Sequence, residues 1–172
     1  FSAFDIYQFV PVKERSLSVS KKEQTHYDSL LQSTGQVLFF SGNLSLIHEK
    51  ELETLTVLAK KHIPIKILTR IDIVSQNKVN LLLAINYKVG WDALQISHCE
   101  QPIRAFLVDE SFAIMKETLS PNQHRELKEN VYLYYHICDK EWVTWLEKVF
   151  WQLWNQSIDA KTRLDILKKI VI

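Results

Sequence analysis

The sequence predicts an α/β domain in which helices pack on both faces of a β-sheet. Two observations predict it. Short apolar runs alternate with amphipathic stretches: residues 36–41 (QVLFFS) precede 45–62, and residues 65–69 (IKILT) precede 75–89. Right-handed crossovers would make the first two strands parallel neighbours. Several short strand-like runs and a long aromatic helix then follow.

Taken in order, residues 1–19 are mixed, with Pro11 and serines between Ser16 and Ser20, and are expected to be a connector or edge segment. Residues 20–34 are expected as a helix, with Ser20 at the N-cap, Glu23 completing a capping box and Gly35 ending it. Residues 36–41 are a buried strand bounded by glycines. In the helix over 45–62, Leu52, Leu55 and Ala59 share one face while Glu49, Glu51, Lys60 and Lys61 point outward, until Pro64 stops it. Residues 65–69 form the next strand, and a helix over 75–89 ends at Gly90. Strands follow at 93–97, 103–108 and 112–116, the last two joined by a turn at Asp109-Glu110-Ser111, and then at 131–137 (VYLYYHI). The helix over 139–157 has Asp139 as N-cap and a stripe of Trp142, Trp145, Leu146, Val149, Phe150, Leu153 and Trp154. Trp151 falls nearly opposite that stripe and is expected at an interface, against a partner or the tail. The domain is placed at 20–158, with a helical tail over 159–172.

The 172 residues suit one domain, and 21 basic against 20 acidic side chains argue against a dedicated nucleic-acid coat. Cys99 and Cys138 have no CxxC partner, and His48, His124 and His136 are scattered, so neither a disulfide framework nor a metal site is expected. No glycine-rich phosphate loop occurs and no cofactor is expected. No apolar run approaches a membrane span, and a cytoplasmic location is expected. The chain begins at Phe1 without methionine, as a piece of a longer polypeptide would.

The stretch HCEQPIRAFLVDESFAIMKE (98–117) resembles the HKD region of the phospholipase D superfamily. QVLFFSGNL resembles that fold's first core strand and loop, AKKHIPIKILTR its following helix and strand, and FWQLWNQS the closing aromatic helix of archaeal members. The resemblance covers residues 20–158 and implies a phospholipase D-like mixed sheet. The family motif is His-x-Lys-x4-Asp. Anchored on Asp109, it puts Arg104 at the lysine position and Pro102 at the histidine position, with Lys116 and Glu117 where Gly-Ser would stand. In the family one histidine attacks phosphorus and a second protonates the leaving group. Proline can do neither, while arginine still clamps an anion.

The resemblance is nearest to the domain that follows a winged helix in archaeal regulators of the TrmB type, where it senses sugars or dimerises. It therefore implies a non-catalytic ligand-sensing or dimerising module, a homodimer, an anionic or sugar-like ligand, and DNA contact only through a domain outside this chain. The expected ligand-binding residues are His98, Glu100, Arg104, Asp109, Lys116, Glu117, Ser41 and Asn43. Arg104 and Asp109 also admit a plain structural reading, as an ion pair or a turn acid. Two rivals stay open. One is a phosphodiesterase using His98 with Arg104 and Asp109, although Glu100 stands where a shifted motif needs lysine. The other is a nucleic-acid-binding module using a basic strip of Lys60, Lys61, His62, Lys66 and Arg70.

Overall fold

The computed structural model describes residues 2–45 and 47–170. Among them an eight-stranded mixed sheet is sandwiched by helices. The strands are β1 (Arg15–Ser20), β2 (Val37–Phe40), β3 (Ile65–Thr69), β4 (Leu94–His98), β5 (Ala105–Val108), β6 (Phe112–Leu119), β7 (Val131–Ile137) and β8 (Ile158–Asp159). Their spatial order is β1-β7-β6-β5-β2-β3-β4-β8. β2, β3 and β4 run parallel, as the crossover rule predicts. β5 lies antiparallel to β2, with Phe40 opposite Ala105 and Val37 opposite Val108.

Side chains alternate across each strand and divide the core in two. Val37, Ile65, Ile67, Leu94 and Ile96 face one layer, closed by α2 (Tyr27–Leu31), α3 (Glu49–Lys60), α4 (Gln76–Val89) and α6 (Ala160–Ile170). Leu38, Phe40, Leu68, Leu107 and Met115 face the other, closed by α1 (Ala3–Tyr7) and α5 (Lys140–Gln156). Residues 1–19 thus contribute α1, whose Ile6 is buried in the second layer, and β1, an edge strand paired only with β7. Leu17 and Val19 on that edge are exposed.

Three local expectations are corrected. Ser20 ends a strand instead of capping a helix. Its hydroxyl bonds the Lys22 backbone, and the next turn is held where Gln24 N–H donates to the Tyr134 hydroxyl at 2.7 Å, so α2 starts only at Tyr27. The helix expected from 45 begins at Glu49, because Leu44 sits at φ 62° and the preceding turn is tied by Leu44 N–H to Ser41 Oγ and Ser45 N–H to Asn43 Oδ1. Asp139 does cap α5, accepting from Trp142 N–H at 3.0 Å, but the buried stripe is Val143, Leu146 and Phe150. The apolar face is therefore rotated in part: Trp142, Val149, Leu153 and Trp154 of the expected stripe still pack on this core, while Val143 and Trp151 join it. Trp145 is the stripe's exposed member, and Trp151 is half-buried among residues of its own chain, its ring edge-on to Phe150 and Trp154, with the Lys66 ammonium 5.8 Å from its centre.

This rotation makes a measurable difference. Phe150→Ala is expected to cost about 3–5 kcal/mol in urea denaturation, as a cavity in a packed core does. Trp145→Ala is expected to cost less, about 1 kcal/mol, the typical value for a point substitution, because its ring is partly exposed and packs edge-on against Trp142 outside the core.

Candidate functional site

The parallel strands β2, β3 and β4 end on the same side of the sheet, where β5 begins, and ligand sites of open α/β sheets gather at such ends. Three segments meet there: Ser41-Gly42-Asn43 after β2, Arg70 after β3, and residues 99–104 between β4 and β5. They enclose a cleft of about 290 Å³ lined by Gly42, Asn43, Arg70, Glu100, Gln101 and Arg104.

Arg104 is the best-placed group in it. Its Nη1 donates to the carbonyls of Gln101 (2.6 Å) and Ile103 (2.9 Å). The Gln101 side chain braces this loop, donating to Ser41 O at 3.1 Å and accepting from Ile103 N–H at 2.6 Å. The rest of the guanidinium lies against Gly42, where a methyl group would stand 2.7 Å from Nε and 2.9 Å from Nη2. Among the described residues no carboxylate pairs with Arg104. Burial first, and then the charge of Arg70, lower its proton affinity below the ordinary arginine value. Arg70 is bound on one side, its Nε 2.9 Å from Asp72 Oδ2. Two guanidiniums thus face a cleft whose only lining carboxylate is Glu100. An anion would relieve their mutual repulsion and supply acceptors for their free N–H groups.

The expected site residues fall in different places. Glu100, Arg104 and Asn43 line the cleft, and Ser41 supports it through its backbone carbonyl. Asp109 is not there. It follows the far end of β5, five residues from Arg104, which is about 16 Å along a strand. It holds a left-handed conformation at φ 54° and accepts from Ser33 Oγ (2.9 Å) and from the amides of Thr34 (3.1 Å), Gly35 (2.8 Å) and Gln36 (2.9 Å). Burial alone would raise its pKa, but the donors from Gln36, Thr34, Ser33 and Gly35 together hold the carboxyl below the ordinary value of 3.8. Asp109 is a loop anchor. His98 ends β4, and its Nδ1 accepts from Ile71 N–H at 2.9 Å; it is absent from the cleft wall. The convergence of His98, Arg104 and Asp109 that a hydrolase would need does not occur.

Lys116 and Glu117 are adjacent on β6 and so face opposite sides of the sheet. Lys116 pairs with Glu23. Glu117 lies beside Tyr135, whose hydroxyl is raised to about 12 by burial and then by that carboxylate. Both residues line a neighbouring cleft of about 230 Å³ that also contains Pro102 and the flank of Arg104. The basic strip is dispersed. Lys60 and Lys61 stand where α3 ends, His62 packs on Trp91, Lys66 lies under Trp151 and Trp154, and Arg70 belongs to the cleft. Gly42, Arg70 and Gln101 are the cleft residues that the sequence reading left out of the ligand set. Arg70 carried a usable signal, since it directly follows a parallel strand just as Ser41 does.

The fold is phospholipase D-like. It resembles TrmBL2, an archaeal chromatin protein with a novel mode of DNA binding, at a TM-score of 0.62 and 12% identity over 87% of this chain. The chain spans 55% of the length of that protein. Nuc from Salmonella typhimurium, a phospholipase D family member, matches at a TM-score of 0.56 and 12% identity, covering 85% of this chain and 98% of Nuc. NucT from Helicobacter pylori matches at 0.55 and 12% identity, over 85% of this chain and 99% of its own. No protein-family model matches the sequence, and no curated protein matches it significantly. No described helix is long and apolar enough to cross a membrane.

Asp109 and Gly42 separate stability from binding. Asp109→Ala is expected to destabilise by about 1–2 kcal/mol, because it removes the charged acceptor of the 33–36 loop while water can still reach the exposed amides of Thr34 and Gly35, and to leave anion affinity of the folded protein unchanged. The Asp109 contribution is present above the ordinary carboxyl pKa and disappears as pH falls through the depressed one, so the two proteins should converge in stability in acid. Gly42→Ala is expected to do the opposite, displacing Arg104 and weakening anion binding with little change in thermal midpoint.

Proposed function

We propose that this chain is a non-catalytic phospholipase D-like domain that binds an anionic ligand and dimerises, as the C-terminal part of a cytoplasmic transcriptional regulator. One observation carries the reading: Pro102 stands at the motif's histidine position, and the cleft beside it presents Arg70 and Arg104 but no imidazole. Phosphoryl transfer by this family's route needs a nucleophile and a proton donor at phosphorus. Anion capture needs only the guanidiniums, the Gly42 turn and Asn43. The ligand is a phosphorylated or carboxylated small molecule of sugar-like size. The likeness to TrmBL2 supports the regulator context, with DNA contact made by a segment outside residues 1–172.

The test is a paired assay. The protein is expected to leave bis(p-nitrophenyl) phosphate unhydrolysed, while millimolar phosphate or sulfate raises its thermal midpoint. Arg104→Ala and Arg70→Ala should each weaken that binding roughly tenfold or more, equivalent to about 1.4 kcal/mol. Light scattering should report a dimer. Robust turnover that vanishes in His98→Ala would overturn the reading.

A further inference from the structure

Arg70 is held by an unusual arrangement one residue away. Ile71 is fully buried, and its peptide groups are gripped from two elements distant in sequence. Its N–H donates to His98 Nδ1 on β4 at 2.9 Å, and its carbonyl accepts from Arg163 Nε on α6 at 2.9 Å. Arg70 itself is tied through N–H to Gly42 O at 2.9 Å and through its carbonyl to Ser75 Oγ at 2.9 Å. The Ile71 peptide therefore joins the C-terminal helix, the end of β4 and the wall of the cleft.

The bond to His98 exists in one protonation state only. An imidazole that accepts at Nδ1 carries its proton on Nε2. Adding a second proton puts an N–H against the Ile71 N–H. We propose that His98 is a positioning residue for Arg70: neutral, it anchors the Ile71 peptide and keeps the anion cleft assembled; protonated, it releases that peptide and the cleft loses its grip on anions. This rests on the reading of the cleft as an anion site, but the clamp can be tested apart from it.

The surroundings set the pH range. Burial works against the charged imidazole. Arg163 from α6 and Arg70 from the β3–α4 loop also oppose it; Glu100 after β4 and Asp72 on that loop favour it. Asp159 on the adjoining β8 is turned onto Thr162, bonding its amide and hydroxyl. The balance lies below the ordinary 6.5. The unfolded or released state thus takes up the proton first, so the clamp is at full strength above about pH 6.5 and weakens as pH falls through the lower, folded-state value. His26 and His136 are lowered too, but they sit together under α2 beside Tyr134, away from this end.

The experiment uses sulfate, whose charge is constant between pH 5 and 7.5. Wild-type affinity is expected to fall several-fold over that range. His98→Asn, whose Oδ1 occupies the Nδ1 position and does not titrate, should bind as wild type does at pH 7.5 and hold its affinity in acid. Arg163→Ala should bind weakly at both values. Parallel losses in wild type and His98→Asn would overturn the proposal. A second reading needs no ligand and no variant. In the wild-type protein, ¹⁵N shifts should show the Nε2–H tautomer at pH 7.5, and Ile71 amide protection should drop in acid relative to Ile67. Unchanged Ile71 protection across the His98 titration would sink the clamp. Failure of sulfate to bind at pH 7.5, with Ile71 protection still following His98, would instead sink the anion-site reading.

Discussion

The seam between β2 and β5 is the constraint on which the rest of the molecule depends. On one side β2 pairs in parallel with β3, and on the other it pairs antiparallel with β5, so the sheet reverses direction at its centre. The reversal brings the end of β2 beside the start of β5, which puts Gly42 against Arg104. It also carries Asp109 to the start of β2, where the carboxylate collects the amides of residues 34–36. One strand pairing therefore creates an end with a cleft and an end with an anchor, and the two ends of β5 serve each in turn.

The same geometry explains how much could be read in advance. Element types and their order were legible because period-2 and period-3.6 apolar patterns survive in the chain. β7 was expected at 131–137 and is found there. Boundaries failed where tertiary contacts overrode local signals: Ser20 looks like an N-cap, but β7 captures it as a strand residue. The tryptophan stripe held for Trp142, Leu146, Val149, Phe150, Leu153 and Trp154 but not for Trp145, because periodicity fixes which residues share a face and not the angle at which the sheet meets it; Val143 takes the buried place. At the cleft, Arg104 and Glu100 were picked out by motif spacing and Asn43 by the strand-end rule. Asp109 shared their motif but lies at the other end of β5, where the turn-acid reading fits it, because spacing along a motif says nothing of which end of a strand a residue occupies. Arg70 was missed because it was grouped with nearby lysines by charge, when its strand position was the better guide.

Similar folds with different site chemistry are expected when the sheet and the site draw on different residues. The core of this domain rests on Val37, Ile65, Ile67, Leu68, Leu107 and their neighbours. None of these is needed for chemistry at phosphorus. Pro102 and Arg104 lie outside that set, so changes at either position leave the core untouched. A fold of this kind can carry different site chemistries because its stability is not vested in the residues at the strand ends.

The contact between Gly42 and Arg104 also bears on substitution. With Nε 2.7 Å from where a Cβ would be, the guanidinium keeps its present seat only while position 42 lacks a side chain. The atoms in the way are the far end of a flexible side chain, so a substitution at 42 would move Arg104 without unfolding the chain. The two positions are therefore coupled through the cleft and not through the core: a change at 42 is felt first in where the positive charge sits.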